Sequence, residues 1–134
     1  NTYFAFATDI LHIGQFFNGL PEDVEKYAVV NLSGVEVRGI PMPAQTLMFT
    51  TDTFRKEEQT EKNVHYLLPI DIKNLSLQEG KKVVITLLDG TDSETRNKIR
   101  QKFPELEEKA PSDFIIFSNF YNLRRKTTGL PVVE

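Results

Sequence analysis

The chain has 134 residues, a net charge of −3 and a hydrophobic fraction of 40% that includes 10 Phe and 4 Tyr but no Trp, enough apolar material for a single core in one domain, 1–134. The absence of Cys excludes disulfides, thiolate metal sites and cysteine nucleophiles, and His12 and His65, without a partner motif near either, compose no metal site. No apolar run approaches the ~20 residues needed to span a bilayer, no signal pattern opens the chain, and the missing initiator Met fits a piece cut from a longer protein.

Residues 1–24 read as a lead-in to the core. Thr8-Asp9 offers a cap for a short helix carrying Ile10, Leu11 and Ile13, and Gly19-Leu20-Pro21 breaks it. From Glu25 the run Tyr27 to Pro41 reads as one long strand. Neither of its alternating faces is apolar throughout, which predicts a bulge or barrel corner at Gly34 and a strongly bent strand. Pro41 and Pro43 end it.

The segment 42–80 reads as a long excursion between strands, and excursions of that length are functional or disordered. Within it Leu47-Met48-Phe49-Thr50 is a short strand candidate, residues 51–63 are a charged exposed loop, and Val64 to Ile72 is a strand confined to an edge by Pro69. Lys81 to Thr91 is a β-branched strand ending in Asp-Gly. Ile99, Phe103 and Leu106 recur at helical spacing in Ser93 to Lys109, with Pro104 interrupting. Phe114 to Leu123 is an aromatic strand that runs into the basic loop Arg124-Arg125-Lys126-Thr127-Thr128-Gly129.

Strand, turn, helix, strand and basic loop is the order of the second half of a small barrel that lays a nucleic-acid strand across one face. The expectation is therefore a mainly β protein: an OB-fold, a five-stranded Greek-key barrel with a short helix between strands and an N-terminal lead-in helix. Net acidity argues mildly against a nucleic-acid partner, but the distribution matters more. Lys81-Lys82 and Arg124-Arg125-Lys126 can share one surface while Glu57 to Glu61 and Glu105 to Glu108 face water elsewhere.

Val30 to Pro41, Val83 to Thr91 and Ser112 to Phe117, followed by the basic loop, are similar in order and spacing to the first OB-fold of the protection-of-telomeres and telomere-end-binding family. The resemblance covers about half of the chain. It implies a nuclear protein that binds single-stranded telomeric DNA and shields the chromosome end, with other telomere proteins as further partners and no cofactor. Arg38 stands where the family places a base-stacking aromatic, and a guanidinium can also stack.

On that expectation no bond is made or broken. Phe120 and Tyr121 stack on bases, Lys81, Lys82, Arg124, Arg125 and Lys126 meet phosphates, and Asn119, Asn122 and Thr127 read base edges. The plain readings stand beside these: Phe120 and Tyr121 as core, the Arg124 to Lys126 cluster as a solvated hairpin tip, Arg38 as a surface charge, Asp89 as a residue satisfying its own turn. A second class of function is a protein-interaction domain that uses the apolar Leu67 to Ile72 edge to accept a partner strand. An enzyme is poorly supported: carboxylates such as Asp71 and Asp89 are present, but no nucleophile and base are paired and no phosphate-cradling glycine loop appears.

Overall fold

The computed structural model describes the backbone of residues 2–31, 36–37, 40–122 and 132–133, with side chains for 10–31 and 44–120. In chain order the elements are α1 (Thr2–Asn18), β1 (Glu25–Val29), β2 (Glu36–Val37), β3 (Ile40–Pro41), α2 (Met42–Thr51), α3 (Lys56–Lys62), β4 (Val64–Leu67), a 3₁₀ helix (Pro69–Asn74), β5 (Val83–Leu87), α4 (Ser93–Lys102), β6 (Glu107–Lys109), β7 (Ile116–Ser118), β8 (Tyr121–Asn122) and β9 (Val132–Val133).

Five strands form one open sheet in the order β4-β1-β5-β7-β6. β1 runs parallel to both β4 and β5, while β7 is antiparallel to β5 and to β6. This corrects the mainly β, closed-barrel expectation. A parallel neighbour cannot be reached by a tight hairpin and needs a crossover, commonly helical. Residues 42–62 supply it as α2 and α3, where the sequence reading has a strand and an exposed loop. The run 27–41 is not one bent strand either: β1 stops at Val29, and β2 and β3 pair as a separate hairpin.

Side-chain alternation on the strands sorts the molecule into three layers. Ala28, Val30, Val84, Leu88 and Ile116 point to the face covered by α1 and α2, where Ile10, Ile13, Phe17, Ala44 and Leu47 complete the core. Tyr27, Val29, Ile85, Leu87 and Phe117 point to the opposite face, covered by the 3₁₀ helix and α4 through Ile72, Ile99 and Phe103. All five residues of β5 are buried, as expected of a strand with helices on both sides. The 17-residue α1 is thus a structural layer, longer than the short lead-in helix read from the sequence.

The helix ends follow their sequences. Asp92 caps α4 by accepting from the Thr95 amide at 3.2 Å, and both bonds to Thr95 and one from Asn31 hold its carboxyl below the usual range despite desolvation. In α3 the Glu58 carboxylate accepts from the Arg55 amide at 3.0 Å and from its guanidinium at 3.2 Å. Asn63 ends α3 in the left-handed region at φ 55 and donates to the Glu22 carbonyl, which fixes the approach of α3 to the start of β1.

Tyr27 gives the sheet an alkaline limit. Burial first, then the Glu25 carboxylate and a 3.4 Å bond to it, push its phenol up from 10.0 to about 12. Below the unfolded value the phenol is neutral in both states. Between pH 10 and 12 the unfolded chain loses the proton that the folded chain keeps, so stability falls as pH rises through that window, by about 2 to 3 kcal/mol in full. Tyr27→Phe is expected to flatten this limb of a stability-against-pH curve measured by urea unfolding.

Candidate functional site

β4 forms one end of the sheet order, so it has a strand on one side only among the described residues. Lys26 N donates to Asn63 O and Val30 N donates to Leu67 O. In a parallel ladder every second residue faces the neighbour, which turns the backbone groups of Val64 and Tyr66 to the open side. Neither makes a backbone hydrogen bond to another strand there among the described residues.

The side chains of β4 are held firmly. Tyr66 Oη lies 2.6 Å from Thr53 Oγ1 and 3.3 Å from Thr51 Oγ1, and the two threonines bond each other at 2.7 Å. Burial raises the Tyr66 phenol above its ordinary value, with the threonine bonds acting the other way. On the opposite face His65 stacks on Tyr27 with centroids 4.9 Å apart. Burial holds the His65 imidazole below its usual value, with Glu25 opposing and Lys26 and Lys56 reinforcing.

Large apolar side chains are exposed near β4 in the chain or through its side-chain bonds. Phe49, 78% exposed, meets the exposed Phe54 edge-on at 6.5 Å, one residue beyond the Thr53 that holds Tyr66. Directly after β4, Leu68 and the 62% exposed Ile70 open the 3₁₀ segment. A strand with no neighbour on one side among the described residues, followed by exposed apolar residues, is the kind of edge that strand addition uses.

The nucleic-acid residues read from the sequence are placed as follows. Lys81 and Lys82 are exposed just before β5. Asn119 accepts from the Val83 amide at 3.0 Å and donates to the Lys81 carbonyl at 2.9 Å, so its amide fixes the start of β5 beside the two lysines. Phe120 is buried in the core with Phe114 and Ile116, which is the plain reading of that ring. Tyr121 and Asn122 lie in β8, and their side chains, with Arg38, Arg124, Arg125, Lys126 and Thr127, fall outside the described residues.

The carboxyl ends of β1 and β5 form the other place to look, because in an open α/β sheet ligands lodge where neighbouring strands lead to opposite faces. β1 leads by way of the β2–β3 hairpin to α2, and β5 leads to α4. There Asn31 accepts from the Asp89 amide at 2.8 Å and donates to the Asp89 carbonyl at 2.9 Å and to Asp92 at 3.1 Å. Asp89 itself accepts from the Thr91 amide and hydroxyl at 3.0 and 2.6 Å, as a turn residue does. These groups satisfy one another, and among the described residues no cluster of His, Asp or Glu is placed to hold a metal.

The strand read over Val64 to Ile72 is corrected: β4 ends at Leu67 and Pro69 opens a 3₁₀ helix, so of the Leu67 to Ile72 edge only Leu67 is strand. The exposed Phe49 lies in a short apolar run that periodicity alone does not orient, and Phe54 in the segment read as a charged loop. Among the described residues no helix is long and apolar enough to cross a membrane. The chain matches no family model, no curated protein and no solved structure.

Proposed function

We propose that this domain is a protein-interaction module that takes an extended segment of a partner along the open side of β4. What carries the reading is the one-sided β4 ladder, with Leu68 and Ile70 exposed directly after it and Phe49 and Phe54 exposed on the α2 side that holds Tyr66. Backbone pairing at Val64 and Tyr66 supplies affinity without sequence preference, and the exposed apolar groups select the partner's side chains. Aromatic anchors of this kind dominate interface energetics.

A second reading keeps the partner expected from the family resemblance, a single strand of telomeric DNA. Its support is the pair of bonds by which Asn119 sets Lys81 and Lys82 beside the strand that leads into β8. The two readings differ in their response to salt. Phosphate contacts weaken steeply with ionic strength, and an apolar and backbone interface does not.

The test is selection of binders from a random peptide library displayed on phage, with a single-stranded G-rich telomeric oligonucleotide assayed in parallel. The expected peptides alternate apolar residues, bind with little salt dependence and slow amide exchange at Val64 and Tyr66. Phe49→Ser with Phe54→Ser is expected to weaken them about tenfold, while leaving the unfolding free energy within about 0.5 kcal/mol because both rings already face water. A library that yields no binder, or peptides that protect another surface, removes the first reading. Salt-steep capture of the oligonucleotide, lost on replacing Lys81 and Lys82, establishes the second.

A further inference from the structure

A cavity of about 460 Å³ lies between the 3₁₀ helix Pro69–Asn74 and α4, on the face of the sheet opposite α1. Its apolar part is made by the buried Ile72 and the exposed Ile70, and its polar part by Lys73, Lys98, Gln101 and Lys102. The volume is that of a small-molecule site, for which about 300 to 1,000 Å³ is usual.

The charges around it do not balance. α4 carries four cations, and two of them, Arg96 and Arg100, share Glu108 at 2.5 and 2.6 Å. The other two face the cavity. Among the described residues Lys98 pairs only with Glu94, 3.9 Å away with both side chains well exposed, and Lys102 donates to the Lys73 carbonyl at 2.9 Å. Lys73 and Lys102 form no ion pair among the described residues, and no carboxylate lines the cavity. Asp71, on the same 3₁₀ helix, is spent on the Leu68 amide at 3.0 Å. Like charges four residues apart on a helix, as Lys98 and Lys102 are, cost stability in the absence of a counter-charge.

We infer that this cavity between the 3₁₀ helix and α4 binds a small anionic amphiphile, a carboxylate or phosphate ester whose ammonium partners are Lys73, Lys98 and Lys102 and whose short acyl or aryl tail rests on Ile70 and Ile72. The head reduces the net positive charge of the three ammonium groups and the tail covers the exposed Ile70. Either moiety alone leaves half of the lining unmet. The cavity adjoins the end of β4 and shares Ile70 with it, but its lysines belong to the 3₁₀ helix and α4, so the lysine variants test it separately.

The experiment is isothermal titration calorimetry of the full chain with sodium octanoate, against inorganic phosphate as head alone and 1-octanol as tail alone. One saturable octanoate site is expected, with both controls at least about tenfold weaker, since each lacks one set of contacts. Lys98→Gln with Lys102→Gln is expected to weaken octanoate about tenfold at unchanged melting temperature. If the double variant unfolds, Lys98→Gln alone, which breaks no bond to the backbone, is expected to weaken binding severalfold. Phosphate or octanol binding as tightly as octanoate, octanoate binding unaltered in a folded variant, or no saturable heat would each overturn the assignment. Vesicles of phosphatidylglycerol identify the source: if they and octanoate are both lost in the variant, the ligand comes from a lipid surface; if octanoate alone binds, it is a free acyl anion; vesicle binding without octanoate binding overturns the cavity.

Discussion

Replacing Lys26 with Met is expected to remove about 3 kcal/mol of unfolding free energy. Lys26 lies on β1, only 2% exposed, and its ammonium donates to the carbonyls of Val24 at 2.8 Å, Lys62 at 2.9 Å and Pro21 at 3.2 Å. Three segments meet on that one nitrogen: the turn after α1, the start of β1 and the end of α3. Met fills the same space without a donor. The Pro21 carbonyl keeps the Val24 amide at 3.1 Å, but the other two lose the ammonium, at about 1 to 3 kcal/mol for each buried acceptor left unmade. Relief of the ammonium's own desolvation offsets a part of this.

The pH dependence separates this role from simple packing. Desolvation holds the Lys26 ammonium below its ordinary 10.5, with Glu22 and Asp23 acting the other way. Between the lowered folded value and 10.5 the unfolded chain binds more protons, so stability gained from this residue rises with pH across that window. The Met variant lacks that slope. The gap between wild type and Lys26→Met in urea unfolding is therefore expected to be wider at alkaline pH than at neutral pH. A loss below about 0.5 kcal/mol, of the size typical of a surface change, would show that the three carbonyls do not depend on the ammonium.

Lys26 also shows how much of the fold could be read in advance. Residues 27–41 read as one strand with no clean face because Asn31, Ser33, Glu36 and Arg38 interrupt the apolar pattern, and these lie after β1 has ended at Val29. Within β1 helices cover both faces, so alternation vanishes and a buried lysine survives by meeting carbonyls at the strand's start. The same holds at Ile116 and Phe117, adjacent residues buried in opposite layers. The β-branched run located β5, Pro69 the edge position of β4, and helical spacing α4, which the structure ends at Lys102 with 107–109 as strand β6. Periodicity did not orient Leu47-Met48-Phe49-Thr50, because a short apolar run is compatible with either period; in α2 Leu47 and Met48 go inward and Phe49 goes to water. The candidate site was legible as an edge through Pro69, and its aromatic flank was not, since it depends on which turn of α2 faces the sheet.

Gly14→Ala tests that packing of α2 directly, and its expected sign is opposite to the usual one. In a helix interior Ala is favoured over Gly by about 1 kcal/mol. At this position α1 and α2 approach so closely that a Cβ would press on Thr50 Cγ2 and lie 2.9 Å from Thr50 Cβ. The Thr50 methyl cannot simply rotate away, because its hydroxyl donates to the Thr46 carbonyl at 2.9 Å and fixes the rotamer, while Asn18 holds the Thr50 carbonyl at 3.1 Å. Overpacking of this kind costs about 1 to 3 kcal/mol. The net expectation is a loss of up to about 2 kcal/mol, read as a fall of several degrees in Tm. Thr50→Ala removes the methyl, so the double variant is expected to recover part of the loss and to show a coupling free energy above about 0.5 kcal/mol in a double-mutant cycle. If Gly14→Ala instead stabilises the chain, α1 and α2 are further apart than their crossing at Gly14 requires, and the placement of Phe49 and Phe54 on the α2 side that holds Tyr66 fails with it.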